Sequence, residues 1–140
     1  MNWNRTLENE EDTRRFAEEA AELLKGRVVL LNGTLGAGKT FFVKCIAEHF
    51  HCTPASSPTF TLHQQYDGDI TIRHFDLYRL NSFDELENID FWSIIESGDT
   101  CFVEWAEKFN LYDELENYIE INITVLDKTK RQITAVTDCL

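Results

Sequence analysis

Residues 33–40 have the sequence Gly-Thr-Leu-Gly-Ala-Gly-Lys-Thr, which fits G-x-x-x-x-G-K-S/T, the pattern of the phosphate-binding loop of nucleoside triphosphatases. The run before this loop, 27–32, is short and apolar with adjacent valines, as expected of a buried strand. The run after it, 41–50, predicts a helix. A strand, a glycine-rich turn and a helix in this order bind phosphate at the helix N-terminus. The sequence therefore predicts a nucleotide site on an α/β fold.

Each residue type in this loop has a physical reason. Glycine permits the dihedral angles and the close approach that let consecutive N–H groups point at the phosphates. The first turn of the helix adds unpaired N–H groups and the positive end of its dipole. Lys39 can reach the terminal phosphates, and the Thr40 hydroxyl is the usual Mg²⁺ ligand. The residues predicted to bind the nucleotide here are Gly33, Thr34, Leu35, Gly36, Ala37, Gly38, Lys39, Thr40 and Phe41.

Composition limits the kinds of partner. The chain has 140 residues, 43% of them hydrophobic, and we expect one domain with its own core over residues 1–140. A formal net charge of −12 argues against a broad nucleic-acid surface, so any role on RNA should act through a partner. No run is apolar and long enough for a membrane span or a signal core, which favours a soluble, cytoplasmic protein. Four cysteines without a C-x-x-C pair indicate reduced structural thiols.

Local patterns predict an intermixed series of helices and strands. Asn9 should cap a helix that Gly26 ends, and Ser82-x-x-Glu85 should open a short helix that continues through 91–95. Residues 67–69, Asp-Gly-Asp, predict a hairpin turn. The predicted strands beyond the loop lie at residues 59–66, 70–76, 100–103, 118–126 and 132–137. This mixture indicates an α/β class with a mixed sheet.

Two acidic residues are candidates for the metal side of the site. Glu104 and Asp76 each stand at the carboxyl end of a predicted strand. Acids in that position face the ligand crevice of an open α/β sheet, where they hold Mg²⁺ or orient the attacking water. The alternative for each is a surface or capping carboxylate. Thr59, in Ser57-Pro-Thr, lies where switch segments place a hydroxyl near the γ-phosphate, although Ser-Pro-Thr is also an ordinary turn.

The nature of the nucleotide base follows from what the sequence lacks. The guanine-recognition motif Asn/Thr-Lys-x-Asp is absent, which disfavours a standard GTPase and leaves ATP and ADP as the default. An arginine-rich lid is not apparent either, so a small-molecule kinase is less attractive. Two alternatives stay open: such a kinase, and a binding module in which bound ATP only orders a docking surface.

Four motifs, taken together, resemble one family. They are Gly-x-Leu-Gly-Ala-Gly-Lys-Thr at 33–40, Ser-Pro-Thr-Phe-Thr-Leu at 57–62, His-Phe-Asp-Leu-Tyr-Arg-Leu at 74–80, and Glu-Trp at 104–105. Their order, spacing and total length resemble the bacterial TsaE (formerly YjeE) family, P-loop ATPases of tRNA threonylcarbamoyladenosine biosynthesis. The loop alone is shared by very many proteins, but the combination is highly specific.

The resemblance implies a P-loop fold with a central, mainly parallel sheet, antiparallel flanking strands and helices on both faces. It also implies slow Mg²⁺-dependent ATP hydrolysis in an accessory subunit that resets a complex of a TsaD-type transferase with a TsaB-type partner. tRNA would be reached only through that complex. By motif, the catalytic residues are Glu104, Asp76, Thr59 and Lys39. The metal ligands are Thr40, Glu104 and Asp76, and Trp105 packs beside the nucleotide.

The chain departs from the family pattern at three places. Many members have Asp at the position of Thr34 and a hydroxyl residue at that of Phe41. Many also follow Glu-Trp with a Pro-Glu-Arg-like run, where this chain has Ala-Glu-Lys at 106–108. The change at Thr34 removes a carboxylate near the γ-phosphate, so we expect it to affect the hydrolysis rate and not nucleotide binding.

Overall fold

The computed structural model describes residues 2–34, 36–55 and 63–136. Its strands are β1 (Asn2–Leu7), β2 (Val28–Asn32), β3 (Thr53–Pro54), β4 (His63–Asp67), β5 (Thr71–Asp76), β6 (Thr100–Glu104), β7 (Ile119–Val125) and β8 (Arg131–Val136). Its helices are α1 (Glu10–Leu24), α2 (Lys39–His49), α3 (Phe83–Asn88), α4 (Phe91–Glu96) and α5 (Leu111–Glu114), with 3-10 turns at Leu77–Arg79 and Ala106–Phe109.

The strands form one sheet in the order β1-β8-β7-β2-β6-β5-β4-β3. The four central strands, β7, β2, β6 and β5, are parallel to one another. Two antiparallel strands extend the sheet on each side. This confirms the predicted P-loop architecture, and it brings the carboxyl ends of β2, β5 and β6 to one edge of the sheet.

The two long helices, α1 and α2, cover one face of the sheet, which we call the long-helix face. Asn9 caps α1, since its side-chain oxygen accepts a hydrogen bond from the Asp12 amide at 2.9 Å. Phe16 of α1 and Phe42 of α2 are buried in the same apolar cluster as Phe102 of β6. Cys45 and Cys52 are buried free thiols in this cluster, in agreement with the predicted structural role of the cysteines.

The short helices α3, α4 and α5 cover the opposite face, which we call the short-helix face. Their core is a second apolar cluster that includes Phe75 of β5, Val103 of β6 and Phe91 of α4. Successive side chains of a strand point to opposite faces. Because Phe75 and Val103 face the short helices, the neighbouring His74, Asp76 and Glu104 lie on the long-helix face.

The structure differs from the local predictions at two places. Residues 2–7 form β1, a strand that the sequence pattern did not indicate and that pairs with β8. The helix opened by Ser82 does not run on to residue 95, because Asp90 takes a left-handed conformation, φ +57°, and separates α3 from α4. The β4–β5 hairpin and the β7–β8 pair are as predicted. None of the described helices is both long and apolar enough to span a membrane.

Candidate functional site

Two glycines in the loop after β2 occupy positions that a residue with a side chain could not take without a clash or strain. A Cβ atom on Gly33 would lie 2.7 Å from the carbonyl oxygen of Ile123 on the neighbouring strand β7. Gly38 has φ +99°, a conformation that L side chains rarely adopt. The loop closes on itself through the Ala37 amide, which donates to the Thr34 carbonyl at 3.0 Å. α2 then begins at Lys39, with its N-terminus at the loop.

Lys39 is held at the mouth of the loop by two oxygen acceptors. Its Nζ atom lies 2.7 Å from the Gly33 carbonyl oxygen and 3.1 Å from Oε1 of Glu104. Oε2 of Glu104 lies 2.5 Å from Nε2 of His74 on β5. All three side chains are less than 10% exposed, so the contacts are shielded from bulk solvent. The result is a buried series of contacts from Lys39 of α2 through Glu104 of β6 to His74 of β5.

The contacts with His74 and Lys39 keep Glu104 ionised. Burial alone raises the pKa of a carboxyl group because it disfavours the charged form. At Glu104 the hydrogen bonds and charges of His74 and Lys39 outweigh burial and lower its pKa below the ordinary value. Glu104 is therefore a carboxylate at neutral pH, able to accept a hydrogen bond from water or to bind a cation.

Asp76 and Thr40 complete the polar side of the site. Asp76 lies directly beside Glu104 in the register of β5 and β6. With Thr40, Lys39 and Glu104 it lines a cavity of about 550 Å³ next to the loop. Asp76 also caps the following turn, because its Oδ1 accepts a hydrogen bond from the Tyr78 amide at 3.1 Å. Asp76 therefore acts as a cap, and this hydrogen bond fixes its carboxylate at the cavity wall.

The donor set in this cavity suits a hard divalent cation. One hydroxyl and two carboxylates are oxygen ligands of the kind that Mg²⁺ prefers, and Mg²⁺ usually takes the rest of its shell from water and phosphate. Among the residues described, no group of three or more His, Cys, Asp or Glu side chains is arranged to hold a metal alone. An ion bound by Thr40, Asp76 and Glu104 would thus depend on ligand oxygens.

Trp105 lines the same cavity on its short-helix side. It is 39% exposed, and its backbone is left-handed with φ +64°. Its ring lies 5.8 Å from Nζ of Lys39 and 4.9 Å from the ring of Tyr78, centre to centre. Lys108 supports Tyr78 from the other side by donating to its carbonyl at 2.5 Å. Trp105 thus lines this cavity, and its exposure shows that it is not a core residue.

A second cavity, also of about 550 Å³, lies on the outer side of the loop. Its walls include residues 36–38 of the loop, Leu7 of β1, Phe41 of α2 and the turn between β7 and β8. The sequence reasoning placed no residues here apart from the loop and Phe41, because the β1 and β8 contributions come from the two ends of the chain. The glycine-rich loop therefore lies between two cavities.

Most of the predicted residues are brought together around the loop. Gly36, Gly38, Lys39, Thr40, Phe41, Asp76, Glu104 and Trp105 line one cavity, and Ala37 lines the other. Gly33 contacts Lys39, and Thr34 is exposed next to it. Leu35 and Thr59 lie outside the described residues. Sequence reasoning missed His74 as a site residue, although it stands two positions before Asp76, the strand spacing that places both on one face.

The fold and loop together define the class of this protein: an α/β domain of the P-loop fold, with the loop between the central strand β2 and helix α2. A family model described as "Threonylcarbamoyl adenosine biosynthesis protein TsaE" matches residues 7–133. The chain belongs to the TsaE family, and the resemblance drawn from its four motifs is confirmed.

Individual relatives agree with this assignment. A protein of Rickettsia felis is 44% identical over 138 residues, which cover 94% of this chain and 78% of the Rickettsia protein. A protein of Aquifex aeolicus is 44% identical over 132 residues, covering 91% and 90%. Both are named tRNA threonylcarbamoyladenosine biosynthesis protein TsaE. The crystal structure of Bacillus subtilis YdiB matches 98% of this chain and 86% of that one, with a TM-score of 0.73 and 29% identity.

Proposed function

We propose that this chain is a Mg²⁺-dependent ATPase subunit of tRNA threonylcarbamoyladenosine biosynthesis, acting in the cytoplasm with a TsaD-type transferase and a TsaB-type partner. Membership of the TsaE family supports the pathway. The observation that carries the enzymatic part is the position of Lys39. Its ammonium stands at the loop mouth, 2.7 Å from the Gly33 carbonyl oxygen and 3.1 Å from Glu104, both acceptors that a phosphate can replace.

In this proposal the loop binds the phosphates of ATP and ADP. The N–H groups at the start of α2 and the positive end of its dipole point at them, and Lys39 turns from Glu104 to the terminal phosphates. Phosphate oxygens are better partners for the ammonium than a carbonyl oxygen, because they carry charge. Glu104 keeps its contact with His74 when Lys39 leaves, so its carboxylate stays in place.

The base is proposed to lie in the outer cavity. That cavity adjoins residues 36–38 of the loop and is lined by Leu7, Phe41 and Ile133, which suit the flat apolar face of a purine. Thr13 and Thr129 offer hydroxyl groups at its edges. The phosphates and the base would thus occupy opposite sides of one loop, with Gly36 and Gly38 between them.

Hydrolysis is assigned to the inner cavity, the one lined by Thr40, Asp76 and Glu104. Thr40, Asp76 and Glu104 would hold Mg²⁺, directly or through water, and Mg²⁺ would neutralise the charge that develops on the phosphates. Glu104 is ionised and buried, so it can accept a hydrogen bond from the attacking water and orient it. The Thr59 hydroxyl is retained in the proposal as the switch contact to the γ-phosphate. Thr34, in place of the frequent Asp, is expected to keep the rate of the isolated subunit low.

The proposed route to RNA is indirect. The net charge of −12 opposes tRNA at the surface of this chain, whereas a basic partner could contact both. The partner complex therefore handles the tRNA in this proposal, and ATP binding and hydrolysis reset it between turnovers.

Phosphate release, measured with and without the two partner proteins, tests the proposal. We expect slow release by the isolated chain and faster release when both partners are present. Phosphate transferred to a small acceptor would instead indicate a kinase. Tight ATP binding with no turnover in any mixture would indicate a module in which the nucleotide only orders a docking surface. Either result would reject the proposed hydrolytic role.

A further inference from the structure

Arg131, the first residue of β8, grips the glycine-rich loop from outside. Its Nε donates to the Ala37 carbonyl at 3.0 Å, and its Nη2 donates to the Gly36 carbonyl at 3.4 Å. Its Nη1 donates to the carbonyls of Asp127 and Lys130, at 2.9 and 3.1 Å. One guanidinium thus joins two segments more than ninety residues apart in the chain, and all four acceptors are backbone carbonyl oxygens.

The turn that carries Arg131 is itself closed by hydrogen bonds. Oδ1 of Asp127 accepts hydrogen bonds from the amides of Thr129 and Lys130, at 2.9 and 2.8 Å. These two bonds hold the pKa of Asp127 below its ordinary value. The Leu126 amide closes the turn by donating to the Lys130 carbonyl at 3.0 Å. Arg131 therefore links the loop to a turn that has hydrogen bonds of its own.

Holding the loop carbonyls outward has a consequence for the amides. A peptide unit is planar and trans, so the C=O of one residue and the N–H of the next point in opposite directions. When Arg131 holds the Ala37 carbonyl on the outer side, the Gly38 N–H must face the inner side, where a phosphate would lie. A glycine-rich loop has little intrinsic preference for this arrangement, because glycine has the widest choice of dihedral angles.

We propose that Arg131 is a positioning residue that holds the glycine-rich loop, through the carbonyls of Gly36 and Ala37, in the shape that binds the phosphates of a nucleoside di- or triphosphate. The inference rests on the proposed nucleotide site, and it goes beyond it by giving the β7–β8 turn control over the loop. The planar fork of arginine is needed because it bonds several carbonyls in fixed directions, which a lysine ammonium cannot do.

The test compares three variants of neighbouring residues by calorimetry with Mg²⁺–ADP. R131K keeps the charge and loses the fork, and R131M loses both. K130M is the matched control, since it removes a charge from the same turn, where Lys130 pairs only with Glu8 at 3.3 Å among the described residues. We expect R131K and R131M each to weaken ADP binding by about tenfold or more, and K130M by less than about twofold.

A split between KM and kcat distinguishes positioning from general support of the fold. In R131K the KM for ATP should rise with the loss of affinity, while kcat and the thermal midpoint without nucleotide stay close to those of the parent. Wild-type affinity in R131K would overturn the proposal. So would an equal loss in K130M, because any change in this turn would then weaken binding and the guanidinium of Arg131 would have no special part.

Amide hydrogen exchange of the nucleotide-free protein separates this proposal from the nucleotide site on which it rests. The Ala37 amide, which donates to the Thr34 carbonyl, should exchange faster in R131K than in the parent chain or in K130M, whether or not ADP binds. If the parent chain fails to bind Mg²⁺–ADP but the exchange result is as expected, the proposed function fails while the support of the loop by Arg131 stands. Unchanged exchange in R131K would overturn the latter, even if R131M does not fold.

Discussion

The long-helix and short-helix faces of the sheet are built differently, and the site takes different things from each. α1 has 15 residues and α2 has 11, whereas α3, α4 and α5 have 6, 6 and 4. Left-handed residues interrupt the short-helix side at Asp90, Trp105 and Asn110, with φ near +60° in each. The long helices therefore cover the sheet in continuous stretches, whereas the short ones cover it in separate pieces.

The chemistry follows this division. Lys39, Glu104, His74 and Asp76 all lie on the long-helix face, at the edge where the parallel strands end. The short-helix side contributes the aromatic edge, Trp105 on Tyr78, which is partly exposed. We therefore expect the proposed binding and hydrolysis to depend on the long-helix face, and changes confined to the short-helix face to have small effects on them.

The largest effect should come from Lys39→Ala. Removing the ammonium should weaken ATP binding by about 100-fold or more, because charged hydrogen bonds to phosphate are lost in a buried site. Calorimetry with Mg²⁺–ATP measures this, with Lys44→Ala, an exposed lysine of the same helix, as the control. Equal ATP affinity in Lys39→Ala and the parent chain would remove Lys39 from the proposed site.

Glu104→Gln should separate binding from hydrolysis. The amide keeps the size of the side chain but cannot carry the charge that orients water, so we expect single-turnover hydrolysis to fall by about 100-fold. ATP affinity should change only a few-fold. Glu96→Gln removes an exposed carboxylate from α4 on the short-helix face and should leave the rate unchanged. A normal rate in Glu104→Gln, or a fall in Glu96→Gln, would contradict the division between the faces.

His74→Ala should have a smaller effect of the same kind. Without its partner at 2.5 Å, the Glu104 carboxylate is less well fixed, and we expect hydrolysis to fall by about tenfold with little change in ATP affinity. His51→Ala, an exposed histidine paired with Asp69, is the matched control. If hydrolysis were unaffected by His74→Ala while Glu104→Gln was impaired, the buried pair would be structural only.

The smallest expected effect is on the free energy of unfolding, and it compares one position from each face. Glu18→Gly, at an exposed position of α1, should reduce the free energy of unfolding by about 0.5–1 kcal/mol, because glycine is a poor helix former. Asp90→Gly should leave it unchanged within about 0.5 kcal/mol, since glycine adopts the left-handed conformation there without strain. Chemical denaturation of both variants measures this. Equal losses would mean that Asp90 is not strained and that the faces do not differ in this way.

The sequence predicts much of the structure of the long-helix face and little of that of the short-helix face. The loop, α1 with its cap at Asn9, α2 and the β4–β5 hairpin follow from local patterns, because capping, glycine and turn chemistry act over a few residues. The boundary at Asp90 has no comparable signal, since an aspartate at φ +57° looks like any other polar helix residue in the sequence. Trp105 was placed by the family resemblance, whereas its residue type alone fits a core position equally well.

The glycine-rich loop, the α/β class and the family all follow from the sequence, because they depend on residues that are close together or on motifs in fixed order. Which distant residues meet at the loop depends instead on how the sheet is assembled. β1 pairs with β8 across the length of the chain, and Arg131 reaches the carbonyls of Gly36 and Ala37. Such contacts depend on strand order in the sheet, and no local pattern in the sequence specifies that order.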